Sequence, residues 1–172
     1  MSLRMAALGL LAQHPGSGYD LLKRFEKSMA NVWPATQSQL YGELNKLAAA
    51  GLIEVSTIGP RGRKEYRVTP QGRVELVRWI ADPQDDPPDR STELLRIFLL
   101  SEVPRDQARE HLAALAADAE SEVARLKELE ASIRWADTDE DLYAHAALEY
   151  GLRANAMRAE WAHWLGKTID NR

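Results

Sequence analysis

The segment Thr36-Gln37-Ser38-Gln39-Leu40-Tyr41-Gly42-Glu43-Leu44-Asn45-Lys46-Leu47 limits the fold more than any other stretch of the chain. Thr36 with Gln39 three residues on forms a capping box, which predicts a helix beginning at about Gln37. Leu40, Leu44 and Leu47 recur at helical spacing and should face a core. The opposite face carries Gln37, Ser38, Tyr41, Gly42, Asn45 and Lys46, which are hydrogen-bonding or small and almost free of acid. A helix built this way suits insertion into a DNA major groove. An ordinary amphipathic helix with a solvated outer face accounts for the same residues, so the neighbouring segments must decide.

Those neighbours have the spacing of a small helical domain. Leu3 to Gln13 reads as a first helix, stopped by His14-Pro15-Gly16. Ser17 or Gly18 opens a second, from Tyr19 to about Val32, with Leu21, Leu22, Phe25 and Met29 facing inward. Trp33-Pro34-Ala35 breaks the chain before the third helix, which should end at Ala50-Gly51. A strand over residues 52–58, a turn at Gly59-Pro60-Arg61-Gly62 and a returning strand from Arg63 to Val68 make a hairpin. Thr69 and Pro70 then start another helix as N-cap and first residue, carrying Val74, Leu76, Val77, Trp79 and Ile80. Three helices, a hairpin and a further helix spell a winged helix-turn-helix.

Charge supports a polyanion partner for this half alone. Up to Asp82 there are 11 Lys/Arg against 7 Asp/Glu, a balance of +4; from Pro83 onward there are 11 against 19, a balance of −8. A basic half joined to an acidic one is expected when only the first meets nucleic acid. At or beside the hairpin tip, Arg61, Arg63, Lys64 and Arg67 are opposed only by Glu65. Such cations can reach phosphates and make affinity salt-dependent, although charge at a hairpin tip also protects a sheet edge.

Residues 4 to 80 resemble the PadR family of bacterial transcriptional regulators. The resemblance rests on Leu8-Gly9-Leu10-Leu11 with Gly18-Tyr19-Asp20-Leu21, on the segment Ser38 to Leu47, on Gly51-Leu52-Ile53, and on Tyr66-Arg67-Val68-Thr69-Pro70-Gln71-Gly72. Gly42 departs from it, since the family often has Pro directly after the tyrosine. The resemblance implies a dimeric regulator, most often a repressor, with some members responding to phenolic acids or other aromatic or cationic compounds.

Asp82-Pro83-Gln84-Asp85-Asp86-Pro87-Pro88-Asp89 reads as a linker. The expected organisation is therefore a DNA-binding domain over 1–82, a linker over 83–91 and a helical domain over 92–172. Within the last, Thr92 to Ser101 is short and apolar. Arg105 to about Trp135 carries Ala108, Leu112, Leu115, Ala119, Leu126, Leu129 and Ile133 as a coiled-coil-like seam, interrupted at Glu122. Thr138 with Asp141 caps a last helix expected to stop at Gly166, whose Leu142, Ala146, Tyr150, Ala154, Met157, Trp161, Trp164 and Leu165 form a wide apolar face. This half resembles the virulence-activator-like C-terminal domain of longer PadR members and reads as a dimerisation module. The expected fold is mainly α with a small β-hairpin.

Catalysis finds little support. No Gly-x-Ser-x-Gly or P-loop occurs, and the absence of cysteine removes disulfide, thiolate and cysteine-zinc chemistry. His145 with Glu149, and Glu160 with His163, each offer a metal only two ligands, so neither a metal nor another cofactor is expected. No apolar run approaches the ~20 residues of a membrane span, no membrane partner is expected, and the cytoplasm is the expected compartment. Trp33, Trp135, Tyr150, Met157, Trp161 and Trp164 are candidates for an effector pocket or the dimer interface. The expected function is a sequence-specific, homodimeric regulator that binds a double-stranded operator and responds to a small aromatic effector. DNA contacts are expected at Gln37, Ser38, Gln39, Tyr41, Asn45, Lys46, Arg61, Arg63 and Lys64. The rivals are a winged-helix protein-interaction module that does not bind DNA, and a small-molecule or metal-binding protein that uses the acidic half.

Overall fold

The computed structural model describes residues 2–28, 35–59, 62–82 and 91–171. Trp33, Arg61, Met29, Val32 and all of the 83–91 linker except Ser91 lie outside those ranges. The chain divides into two compact units, Met1–Pro87 and Pro88–Arg172.

In the first unit, α1 (Ser2–Gln13), α2 (Gly18–Ser28) and α3 (Gln37–Ala49) pack around Leu8, Leu11, Leu21, Phe25, Leu40, Leu44 and Leu47, all at most 2% exposed. The α3 capping box forms: Gln39 N–H donates to Thr36 Oγ1 at 3.3 Å, and Thr36 N–H donates to Gln39 Oε1 at 2.8 Å. At its other end Gly51, with φ +68°, lets Gly51 N–H reach Ala48 O and Leu52 N–H reach Leu47 O, both at 3.0 Å. That is a Schellman cap, with buried Leu52 closing over Leu47.

The strands β2 (Ile53–Ile58) and β3 (Lys64–Val68) form the expected hairpin, with Ile53 opposite Val68 and a register shift between Val55 and Thr57. The sheet has a third strand that the sequence pattern did not reveal. Gly16–Ser17 forms β1 and pairs antiparallel with β3, giving the order β1-β3-β2. The expected helix stop at His14-Pro15-Gly16 thus leads into a strand, which joins the hairpin to the start of α2. After β3, α4 (Pro70–Ala81) is capped by Thr69 and buries Leu76, while Val74, Val77 and Ile80 are exposed.

In the second unit the expected helix from Thr92 to Ser101 is α5 (Thr92–Phe98) followed by a 3-10 turn over Leu100–Glu102. The long helix α6 (Arg105–Ser132) ends before Trp135 and pairs with α7 (Asp139–Asp170), which runs through Gly166 rather than stopping there. The α6 seam is buried at Ala108, Leu112, Leu115, Ala116, Ala119 and Leu126. Glu122 turns aside to pair with Arg125, whose Nε donates to it at 2.8 Å. Arg158 on α7 gathers the layer, donating to Glu93 of α5 at 2.8 Å and to Asp118 of α6 at 2.9 Å.

The packing face of α7 differs from the expected one. Ala159 and Ala162 are buried against α6, whereas Leu142, Tyr150, Met157 and Trp164 remain exposed. Small residues let the two helices approach closely, so the bulky ones point away from the hairpin. Among the described residues no helix is long and apolar enough to cross a membrane.

Candidate nucleic-acid interface

Helix α3 presents its polar face around a ridge of small residues. At about 100° per residue, the line opposite Leu40, Leu44 and Leu47 is held by Ser38, Gly42, Asn45 and Ala49. Gln37 and Tyr41 lie on one flank of the ridge, and Gln39, Glu43 and Lys46 on the other. Ser38, Asn45, Lys46 and Gln37 are all exposed.

Several of these side chains already have partners. Gln39 spends its carbonyl oxygen on the capping box, leaving its amide hydrogens for an outside acceptor. Ser38 Oγ lies 3.2 Å from Thr36 Oγ1, and Lys46 Nζ donates to Glu43 at 2.8 Å. That lysine pair is an exposed i,i+3 contact, weak enough to yield to a phosphate. Among the described residues, Gln37, Asn45, Tyr41 and Lys64 make no hydrogen bond or ion pair, so their polar groups are available.

Tyr41 has a packing role that the sequence reading missed. A Cβ placed on Gly18 would come within 2.6 Å of the Tyr41 ring, so the ring rests on the bare backbone at the start of α2. Glycine at that position permits the contact that sets α3 against α2. The contact is made through Cε1 and Cζ of the ring, and the residue as a whole stays 38% exposed.

The wing also carries an unforeseen restraint. Ser17 and Asp20 form a second capping box: Ser17 N–H donates to Asp20 Oδ2 at 2.9 Å, and Asp20 N–H donates to Ser17 Oγ at 3.3 Å. Arg63, expected to be free for a phosphate, donates to the same carboxylate at 2.6 Å. The Ser-x-x-Asp spacing was a readable signal for the cap, but nothing local announced the arginine 43 residues away. Hydrogen bonds from the Ser17 hydroxyl and backbone, helped by Arg63, pull the Asp20 carboxyl from its ordinary 3.8 to about 2.

The depressed value fixes the direction of the pH dependence. A carboxylate bound more tightly in the folded state stabilises it above about pH 4, and that contribution fades as pH falls toward about 2. Asp20→Asn should therefore lower stability at neutral pH and flatten the loss between pH 4 and 2, read from denaturant midpoints across that range. An unchanged acid limb would show that the Ser17–Asp20–Arg63 cluster contributes nothing to folding.

Among the described residues Lys64 has no side-chain partner, and Arg67 is held by Glu54 at 2.7 Å. Across the first unit, a polar helix face with an uncharged crest thus stands with a sheet whose tip carries cations. Such an arrangement can read base edges with the helix and neutralise phosphates with the wing.

The candidate effector and interface residues divide by environment. Trp161 packs against the buried cluster of Leu115, Ala116 and Ala162. Trp135 lies 4.9 Å from the His145 ring, beside a cavity of about 260 Å³ whose rim includes Asp137, Asp139 and Asp141. That acidic rim opposes an anionic ligand. Tyr150, Met157 and Trp164 share the exposed stripe on α7. The histidines considered for a metal instead join the hairpin: His145 lies 2.8 Å from Glu130 and His163 2.8 Å from Glu120.

Residues 7–78 match the transcriptional regulator PadR-like family, and residues 90–170 match the virulence activator alpha C-terminal family. The chain is 34% identical over 110 residues to the negative transcriptional regulator PadR of Bacillus subtilis, covering 62% of this chain and 60% of that protein. It is 37% identical over 86 residues to the probable transcriptional regulator Rv1176c of Mycobacterium tuberculosis, covering 48% of this chain and 46% of that protein. These matches thus span about half the length of the curated relatives. Crystal structures of Bacillus subtilis PadR, with operator DNA and with p-coumaric acid, each superpose with a TM-score of 0.85 at 25% identity. The operator complex covers 98% of this chain and 99% of that one; the p-coumaric acid complex covers 99% of each. The virulence activator AphA of Vibrio cholerae shares the fold, with a TM-score of 0.83 at 24% identity over 98% of both chains. These relatives are named as regulators, not as enzymes. The signatures of both units are present: residues 7–78 form a domain of the PadR-like family of transcriptional regulators, and residues 90–170 a virulence activator alpha C-terminal domain.

Proposed function

We propose that the protein is a homodimeric, sequence-specific DNA-binding repressor that acts in the cytoplasm and releases its operator when a small aromatic effector binds. The observation that carries the DNA reading is the small, uncharged ridge of α3, held by two caps and standing with a cation-tipped wing. Ser38, Asn45, Gln37, Gln39, Tyr41 and Lys46 are the proposed contacts from the helix. Arg61, Arg63 and Lys64 are the proposed phosphate anchors, Arg63 by exchanging Asp20 for a phosphate. The operator complex of the Bacillus relative supports the same partner class.

The dimer reading rests on α7. Tyr143, Tyr150, Met157 and Trp164 follow one another at seven-residue steps and are 71%, 76%, 62% and 59% exposed. A heptad stripe of large side chains facing away from its own hairpin suits a second copy of the same helix layer. Two copies would place their α3 helices on half-sites about one helical turn, or a multiple, apart. The effector class, a small aromatic, is proposed from the p-coumaric acid complex of the relative; Trp33 remains a candidate contact here, and Trp135, beside its acidic rim, suits only an aromatic without a carboxylate. Tyr150, Met157 and Trp164 are assigned to the dimer.

A titration against a duplex selected from a random pool tests the DNA reading. Changing Arg61, Arg63 and Lys64 together to alanine should weaken binding and reduce the salt slope by about two to three, near 0.9 per lost phosphate contact. An unchanged slope would remove the wing from the interface. Repeating the titration with p-coumaric acid tests the effector class.

A further inference from the structure

We propose that Gly42 is where α3 comes closest to the floor of the major groove, its missing side chain leaving room for a base-pair edge. The proposal rests on the DNA-binding reading above and assigns this residue to specificity rather than to affinity in general.

Gly42 has no internal reason among the described residues to be glycine. It stands mid-helix in α3 and is absent from the positive-φ glycines, so the backbone there suits any L residue. A Cβ at this position would meet nothing within 4 Å. In the same unit Gly18 makes room for Tyr41, Gly72 for the Leu52 backbone, and Gly51 adopts left-handed φ; Gly9 of α1 is also loosely enclosed, but a Cβ there would face Leu76 of α4 at 4.0 Å rather than open space. Gly166 is equally open, but it lies near the end of α7, where a weak helix former costs little. Among common residues only proline favours a helix interior less than glycine. The α3 glycine therefore carries a stability cost that no contact among the described residues offsets.

Gly42 occupies the crest of the ridge, with Ser38 one turn before it and Asn45 and Ala49 after it. The longer Tyr41 and Lys46 stand to either side. A helix entering the groove along that crest brings its backbone nearest the base pairs at Gly42, and glycine is the residue that permits such approach. Phosphates lie on the groove walls and are met by the flanks and the wing, so a methyl group added at the crest should disturb base contacts selectively.

Full-length wild type, Gly42→Ala and Gly42→Leu test this by thermal unfolding and by DNA titration over a range of salt. The probes are a duplex selected by the wild type from a random pool, and the same duplex scrambled. Alanine should raise the unfolding midpoint while weakening binding to the selected duplex about tenfold, the scale of one disturbed base-pair contact. Leucine should weaken it further. Affinity for the scrambled duplex, and the salt slope, should stay as in the wild type. The proposal is overturned if both variants bind the selected duplex within about twofold of wild type, if both duplexes lose affinity equally, or if alanine lowers the midpoint. A wild type that prefers no duplex would instead sink the DNA-binding reading itself, a result separate from any effect of the variants.

Discussion

Gly72→Ala should destabilise the winged unit by about 3 kcal/mol, at or beyond the upper end of what overpacking one methyl usually costs. A Cβ at Gly72 would lie 2.1 Å from the Leu52 carbonyl oxygen and 2.9 Å from both the Leu52 carbonyl carbon and Val68 Cγ1. Two of those three atoms are backbone, so no side-chain rotation relieves the clash. The surrounding hydrogen bonds also resist a shift. Thr69 N–H donates to Leu52 O at 3.0 Å, Thr69 Oγ1 donates to Gly51 O at 2.7 Å, and Gly72 N–H donates to Thr69 Oγ1 at 3.1 Å. Moving α4 far enough to admit the methyl breaks this cluster at the junction of the α3 cap and β2. Chemical denaturation followed by far-UV circular dichroism measures the loss; a change below about 1 kcal/mol would show that the junction can relax. The contrast with Gly42→Ala, expected to stabilise, makes the pair informative within one unit.

The second large effect is expected at the stripe on α7. Tyr150→Glu combined with Met157→Glu should convert the proposed dimer to monomers at micromolar concentration. It should also weaken operator binding by about a hundredfold or more, because two half-sites are no longer engaged by linked copies. Both positions are exposed and face away from Leu112, Leu115 and Ala119, and glutamate is a good helix former. Helix content and unfolding of the isolated protomer should therefore persist. Sedimentation velocity reads the first effect and a gel-shift titration the second. A double variant that remains dimeric would move the interface off this stripe. The exposed Leu94, Leu95 and Phe98 of α5 would then be the next surface to test.

What could be read from sequence was local. The Thr36–Gln39 and Thr138–Asp141 caps follow from a three-residue step, and both form. The leucine spacing of α3 and the seam of α6 follow from helical periodicity, and the same residues are buried except Leu129 and Ile133, which are half-buried, Ile133 just past the end of the helix. Gly51 ends α3 as its place after the last periodic leucine predicts. The family signature was legible because its motifs coincide with these local devices: Gly18 under Tyr41, Gly51-Leu52-Ile53 at the cap and first strand, Thr69 to Gly72 at the restart of the chain.

Other features were set only when distant segments met. Pairing of Gly16 and Ser17 with β3 depends on contacts about 50 residues apart, and a two-residue strand has no periodicity to announce it. Arg63 reads as a free wing cation until β3 brings it to Asp20, where a capping carboxylate has a lone pair left for it. The working face of α7 shows the same limit. Its sequence offers one broad apolar surface, and both sides satisfy a helical pattern. The hairpin with α6 selects Ala159 and Ala162 for close approach and leaves Tyr150, Met157 and Trp164 outside. Caps, helical periods and turn residues act over three or four positions, so the chain determined them by itself. Which faces meet, and which charges are already held, depends on contacts between remote segments, and those were decided by the tertiary structure.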